Sequence, residues 1–439
     1  MLSARSFAGL KSLMDNNKPD KKDNKSLGEK AELAAEKLER RFKRTEEKLE
    51  SAAETLEEKF ELTEEKLESA AGALEERLEK AGQTLEAAVE TVEQKLEALE
   101  RRLTGREIRL ERAYEGEAAP EDLIIETRGL KKYFPRNKER GARRDVIRAV
   151  DGVDLDIVRG ETLGVVGESG CGKSTAARCL IGLLPPTDGS VKLYGRDLNS
   201  GDSQSRRAMR RHTGIIFQDP YGSLDPRMTV AEIVGEPLRA YKLAEGKMDL
   251  LLRALDMIEA CGLQADDLFK FPHQFSGGQR QRICIARALI AGPDLVVCDE
   301  AVSALDVSIQ AQIINLLVDL RETRDLTYAF ISHDLEVVRF IADRVAVMYQ
   351  GKIVEMARKD DLFSNPAHPY TVMLLESAPV FGRKAGYVDL SEIPELTPEE
   401  VVVGCRFRNR CPKAKDECAV AEPELLEVGK THVSACRLK

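Results

Sequence analysis

Between residues 45 and 103 apolar side chains recur at steps of mostly seven and four: Leu49, Leu56, Phe60, Leu67, Leu74, Leu78, Leu85, Val92, Leu96, Leu99 and Leu103. The positions between them are largely Glu, Lys and Ala, and no proline occurs between Pro19 and Pro120. Strong helix formers with an apolar stripe predict a long helix. The segment also repeats, TEEKLESAA at Thr45–Ala53 returning at Thr63–Ala71 after 18 residues. Eighteen residues are about five ordinary helical turns, so the stripe stays on one face with little supercoiling. We read residues 28–113 as a long helical, coiled-coil extension with weak points at Gly72 and Gly82. Residues 1–27, rich in Asn, Asp and Lys, are predicted to be disordered. A single helix cannot bury such a stripe alone. A self-associating or docking arm, a charged frayed extension and a membrane-surface helix stay open, the last disfavoured by a Glu-rich polar face.

From Asp122 the texture changes. Short apolar runs appear at Leu123–Thr127, Thr162–Gly167, Leu295–Asp299, Tyr328–Ser332 and Val345–Tyr349, separated by helical patterns and glycine turns. Strands alternating with helices predict an α/β domain with a mainly parallel sheet over residues 121–380. Val345–Met356, with Gln350-Gly351 at its centre, reads instead as a hairpin. A tail over residues 381–439 carries Cys405, Cys411, Cys418 and Cys436.

Composition narrows the picture. The 439 residues allow two or three domains. The net charge of −9 argues against a dedicated nucleic-acid binder. No run approaches the ~20 apolar residues of a membrane span, and the first 22 residues lack the apolar core of a secretory signal. Nine cysteines without an export signal predict reduced thiols or a metal site rather than disulfides.

Chemistry concentrates in three strings. Gly167–Ser174 fits G-x-x-x-x-G-K-[ST] between a strand and a helix. There Gly167, Ser169, Gly170, Gly172 and Thr175 would turn backbone amides onto phosphate oxygens, Lys173 would reach the β and γ phosphates, and Ser174 would ligate Mg²⁺. Asp299-Glu300 ends an apolar strand, which holds carboxylates rigidly beside such a loop. Asp299 suits the metal shell and Glu300 suits a general base acting on water; a solvated acidic loop is the plain alternative. Ser276-Gly277-Gly278-Gln279 opens a helix and makes a second anion site, where the plain alternative is a helix cap.

These strings, in this order, resemble the nucleotide-binding subunit of an ABC transporter. The order continues with Gln218 in IIFQDP, SALD at Ser303–Asp306 and His333 in ISHD. VVGESGCGKST, IIFQDPYGSLDPRMTV, NPAHPYT and the terminal GCRFRNRCP make the chain similar to the ATPases of oligopeptide and dipeptide importers over residues 122–439. Ala301 departs from the family's usual proline after the catalytic glutamate. The resemblance implies a P-loop ABC-type domain with a helical subdomain, ATP hydrolysis and Mg²⁺ held by Ser174, Gln218 and Asp299. Tyr133 would stack on adenine, a core aromatic being the alternative. The signature Ser276–Gln279, with Asp306 beside it, would close on ATP held by a second subunit, and His333 would support the γ-phosphate. Two membrane permeases, a solute-binding protein and a peripheral place on the cytoplasmic face of the plasma membrane follow from the same likeness. The tail's C-x5-C-x6-C-x17-C spacing lacks the C-x2-C of zinc sites. Related tails imply a [4Fe–4S] cluster there, with zinc or unligated thiols as alternatives. Cys171, Cys179, Cys261, Cys284 and Cys298 are expected to be unligated.

A soluble, non-transport ABC ATPase acting with a coiled-coil partner is the competing class. Only 103 residues separate Lys173 from Ser276, too few for the inserted coil of chromosome-maintenance ATPases. A scaffold with a decayed ATPase is disfavoured by the intact Lys173, Glu300 and His333.

Overall fold

The computed structural model describes residues 104–107, 109–111, 119–135, 146–377 and 403–437. The disorder expected over residues 1–27 and nearly all of the arm expected over residues 28–113 lie outside them. Within the arm, 104–107 and 109–111 are helical. This short piece is tied to the rest: Arg106 donates to both Asp343 carboxylate oxygens at 2.9 and 2.8 Å and to the Gly160 carbonyl at 2.7 Å, while buried Leu110 packs with Val158.

Twelve strands are described: β1 (Leu123–Pro135), β2 (Val146–Val158), β3 (Thr162–Val166), β4 (Asp188–Leu193), β5 (Arg196–Asp197), β6 (Thr213–Ile216), β7 (Leu295–Asp299), β8 (Thr327–Ile331), β9 (Arg344–Tyr349), β10 (Lys352–Arg358), β11 (Leu426–Gly429) and β12 (His432–Ser434). The main sheet has the order β11-β12-β10-β9-β3-β8-β7-β6. Its β9-β3-β8-β7-β6 portion is parallel, as the apolar runs predict, because strands covered on both faces need no polar alternation. The period of two then sorts side chains to opposite layers. Val166, Val296, Cys298, Tyr328, Phe330, Val345 and Val347 enter one core, and Leu163, Val165, Leu295, Val297, Ala329, Ile331 and Ala346 enter the other.

The expectation of a mainly parallel sheet misses a second sheet, which is four-stranded and antiparallel, in the order β2-β1-β4-β5. Its strands face the core on one side only and carry Arg128, Lys131 and Asp154 outward, so apart from the Leu123–Thr127 run that opens β1 no continuous apolar run marks them. The hairpin expectation holds: β9 and β10 pair antiparallel around Gln350 and Gly351, both at positive φ.

Ten helices complete the described residues: α1 (Lys173–Leu180), α2 (Ser203–Arg210), α3 (Val230–Val234), α4 (Glu236–Tyr241), α5 (Lys247–Ala260), α6 (Gly277–Leu289), α7 (Val307–Arg324), α8 (Leu335–Ile341), α9 (Lys359–Ser364) and α10 (Pro369–Ser377). Helix α1 and the antiparallel sheet bury Ala177, Leu180, Ile124 and Val191 on one face of the main sheet. Helices α6, α7 and α8 bury Ile283, Leu317 and Val338 on the other. Each such side chain contributes roughly 1.5–3 kcal/mol by leaving water. None of the helices among the described residues is long and apolar enough to cross a membrane.

The tail joins the same sheet. Strand β12 pairs with β10 through Glu355↔Ser434 and Met356↔Val433. Glu355 is fully buried there and satisfied by the Ala367 and His368 amides and by His432 at 2.6 Å, as a buried carboxylate requires.

Candidate nucleotide site

The first wall of the site is the turn from β3 into α1. At Gly167 (φ 150°) a Cβ would stand 2.1 Å from the Met348 carbonyl oxygen, and at Gly172 (φ 110°) 1.9 Å from that of Ala149. Only glycine fits either place, so the chain wraps a cradle open to solvent at Ser169 and Gly170. Gly172 caps α1 without any side-chain bond, leaving the first amides of the helix to a ligand. Lys173 is 4% exposed and lies across the loop, its Nζ donating to the Gly167 and Glu168 carbonyls at 2.8 Å each. Thr175 is half-buried at the start of the helix.

The second wall is the C-terminal end of β7. Asp299, 3% exposed, accepts a hydrogen bond from the Ser174 hydroxyl at 2.6 Å and an ion pair from Arg178 at 3.3 Å. Hydroxyl and carboxylate therefore meet where a hard cation would take oxygen ligands. Glu300 follows at φ 51°, a region that non-glycine residues rarely use. Its amide donates to the Ile331 carbonyl at 3.1 Å, and its own carbonyl accepts from the Ser303 hydroxyl at 3.0 Å and amide at 3.2 Å. These bonds hold the unusual turn and aim its carboxylate. Gln218 Nε2 donates to Glu300 Oε2 at 2.8 Å, and His333 Nδ1 stands 3.5 Å from Oε1. Ala301, in the family's proline position, is buried at 2% exposure.

Lys173, Ser174, Gln218, Asp299, Glu300 and His333 are thus brought together. The other predicted site residues lie elsewhere. Ser276 caps α6 with a closed capping box, its Oγ accepting from the Gln279 amide at 3.4 Å and its amide donating to Gln279 Oε1 at 3.0 Å. Gly278 abuts Ile309 of α7, whose N-cap is Asp306. Among the described residues no hydrogen bond joins Ser276–Gln279 to the Gly167–Thr175 loop. Tyr133 is half-buried, its hydroxyl donating to Asp151 and its ring facing Arg148 at 5.5 Å. Burial and the Asp151 carboxylate push the Tyr133 phenol up to about 12. Although burial alone would push Asp151 up, hydrogen bonds from Tyr133 and Arg406 hold its carboxyl below the usual range.

Cys171, Cys179, Cys261, Cys284 and Cys298 are buried and form no disulfide. Cys405, Cys411, Cys418 and Cys436 are half-buried and line one cavity with His368 and Phe407. Among the described residues no three His, Cys, Asp or Glu side chains stand in metal-ligating positions.

Sequence reasoning missed Arg178, Glu168, Arg406 and Arg410. Arg178 is one helical turn from Ser174, a spacing that could have placed it beside Asp299. Arg406 and Arg410 flank the tail cysteines in GCRFRNRCP, a string valued only for its thiols.

The comparisons agree with this geometry. A model described as "ABC transporter" matches residues 150–303, and one described as "Oligopeptide/dipeptide transporter, C-terminal region" matches residues 354–418. The chain is 46% identical over 327 residues to the oligopeptide transport ATP-binding protein AppF of Bacillus subtilis, covering 73% of this chain and 99% of that protein. It is 48% identical over 293 residues to the oligopeptide transport ATP-binding protein OppF of Salmonella typhimurium, covering 66% and 87%. A phosphate cradle, an oxygen pair for a cation and a clamped carboxylate, read with these relatives, establish that the chain belongs to the ATP-binding, ATP-hydrolysing subunits of the oligopeptide/dipeptide ABC transporter family.

Proposed function

We propose that this chain powers the import of peptides across the cytoplasmic membrane. The carrying observation is the convergence of Lys173, Ser174–Asp299 and Gln218–Glu300–His333 on one cradle, in a chain whose C-terminal region matches that of oligopeptide transporters. In this reading the amides of Ser169, Gly170, Gly172 and Thr175, with Lys173, hold the triphosphate. Ser174 and Asp299, with Gln218 nearby, would hold Mg²⁺, which would supply positive charge to offset that of the phosphates. Glu300 takes a proton from the attacking water, and Gln218 and His333 fix its carboxylate. Tyr133 stacks on the adenine.

The Ser276–Gln279 turn completes the site of a second ATPase subunit. Its separation from the loop within one chain supports that division, and two permeases and a solute-binding protein complete the transporter. The chain would sit peripherally on the cytoplasmic face. The helical region over residues 28–113 would be an arm for association, outside the conserved machinery, and residues 381–439 a transporter-type tail.

We also propose that the four tail thiols would hold a [4Fe–4S] cluster, although they do not stand in ligating positions here. The support is the donor set, since four thiolates are its usual ligands, and all four line one cavity. Iron and sulfide in anaerobically purified protein, with broad absorbance near ~400 nm, are expected; a colourless, iron-free preparation overturns the assignment.

The deciding experiment is a pull-down of the tagged chain from detergent-solubilised native membranes, with partners identified by mass spectrometry. Two multispanning permeases and a solute-binding protein are expected. Ribosomal or chromosomal proteins without a permease would replace transport with the soluble ABC reading, which the relatives' names do not support.

A further inference from the structure

The tail does more than extend the sheet; it reaches into the phosphate loop. Glu168, the residue after Gly167, is held at three points. Its carbonyl accepts from Lys173 Nζ at 2.8 Å, its amide donates to the Tyr370 hydroxyl at 2.9 Å, and its carboxylate takes Arg410 in a two-pronged pair at 2.7 and 2.8 Å. The Arg410 side chain is only 6% exposed. Four residues earlier Arg406 binds Asp151, the acceptor of the Tyr133 hydroxyl, and the Gln350 carbonyl. Between the two arginines Phe407, 1% exposed, packs against Tyr349 and Tyr370 with ring centroids 5.4 Å apart in each case. The turn from Cys405 to Cys411 therefore holds both the loop, at Glu168, and Asp151 of β2, the acceptor of the Tyr133 hydroxyl, across 242 residues of chain in the case of Arg410 and Glu168.

A bare carboxylate one residue into a phosphate loop repels the ligand the loop exists to bind. The bidentate arginine removes that charge and fixes the backbone whose carbonyl orients Lys173. We propose that Arg410 is a positioning residue of the nucleotide site, setting the affinity of the phosphate loop for ATP by neutralising and anchoring Glu168, so that the cysteine turn is a working part of that site. This rests on the reading of Gly167–Thr175 as the ATP loop. It gives Cys405 and Cys411, which adjoin Arg406 and Arg410 in sequence, a direct mechanical route to nucleotide affinity.

The test is titration of Mg-ATP into the full chain, followed by displacement of a fluorescent trinitrophenyl-ATP, with thermal melting of each variant. Arg410→Ala is expected to weaken ATP binding about tenfold or more, as truncating one member of a shielded charge pair does. Arg410→Lys keeps the charge and loses the fork, so it should fall between Arg410→Ala and wild type. Glu168→Gln combined with Arg410→Ala should regain most of the loss, because neither bare charge then remains in the loop. That regain separates charge control from simple tail packing. Wild-type affinity in Arg410→Ala, or a double variant no tighter than Arg410→Ala, overturns the proposal. Should Arg410→Ala fail to fold, Arg410→Lys with and without Glu168→Gln reads the same coupling. Lys173→Ala is the control for the loop itself: if it binds ATP as wild type, the loop reading falls and takes this inference with it. If Lys173→Ala loses ATP and Arg410→Ala does not, only the role of Arg410 falls.

Discussion

Two glycine-rich turns open helices in this chain, and they are built in opposite ways. The Gly167–Thr175 loop is wound through positive φ at Gly167, Gly170 and Gly172, is pinned against the Met348 and Ala149 carbonyls, and leaves α1 without a side-chain cap. The Ser276–Gln279 turn has no positive φ, is largely exposed, and caps its own helix through Ser276 and Gln279. The first is a cradle wound by glycines whose helix carries no side-chain cap. The second closes on itself, the Ser276 and Gln279 amides each bonded within the capping box. A helix N-terminus with free amides binds anions by itself, whereas a capped one must be brought to its ligand from outside. One copy of each turn, built in these two ways, is what the proposed head-to-tail pair of subunits would need.

The contrast can be broken most sharply at Glu300. Glu300→Gln keeps the hydrogen-bonding shape and removes the base, so ATP turnover should fall by roughly 10²–10⁴ while ATP binding stays within twofold; steady-state hydrolysis and nucleotide titration measure both. Equal losses in binding and turnover would show that Glu300 holds substrate rather than water.

Next come the glycines themselves. Gly172→Ala drives a Cβ into the Ala149 carbonyl, so ATP affinity and melting temperature should both drop sharply. Gly277→Ala meets Leu305 and Tyr221 only at 3.8 Å, so the chain should melt as wild type and bind ATP unchanged. Any loss in that variant should appear only in hydrolysis by the assembled dimer. A matching loss of ATP binding in both variants would erase the distinction drawn between the turns.

Alkaline pH gives a smaller effect. Burial pushes the thiol of Cys179, in α1, up to about 11 and that of Cys261, behind the signature helix, up to about 12, from an ordinary value of 9.0. The unfolded chain releases these protons first, so their contribution is intact below pH 9 and is lost as pH rises toward the folded values. The loss is at most about 1.4 kcal/mol per thiol at pH 10. Melting temperatures between pH 8 and 10.5 should therefore fall, and less steeply in Cys179→Ala or Cys261→Ala. Ser276→Ala should cost about 1 kcal/mol by removing the cap, visible in a denaturant midpoint, with ATP binding by the isolated chain unchanged.

Much of the site was legible before any fold was known. Lys173, Ser174, Asp299, Glu300, Gln218 and His333 sit in short strings where residue type and spacing express the chemistry, and their meeting at 2.6–3.5 Å follows from strands that end on one edge. The buried parallel strands were legible because each is an unbroken apolar run. Strands β2 and β4 were not, and β1 was legible only in its Leu123–Thr127 run, since a one-faced strand mixes Lys131, Asp154 and Lys192 with its core residues. Arg410 was invisible for a different reason. Among 67 lysines and arginines it carries no local mark, and its importance comes from a partner 242 residues away.

By itself the sequence determined the family, the reaction and the short strings whose residues are proposed to hold phosphate, metal and water. These depend on local geometry: glycines where a loop must wind tightly, a carboxylate at a strand end, a serine at a helix start. The tertiary structure alone decided that the cysteine tail adds β12 to the main sheet, closes over Phe407 and hands two arginines to the nucleotide site. Contacts of that kind arise from strand pairing and charge burial between distant segments, and such a pairing is chosen only when the fold removes both partners from water.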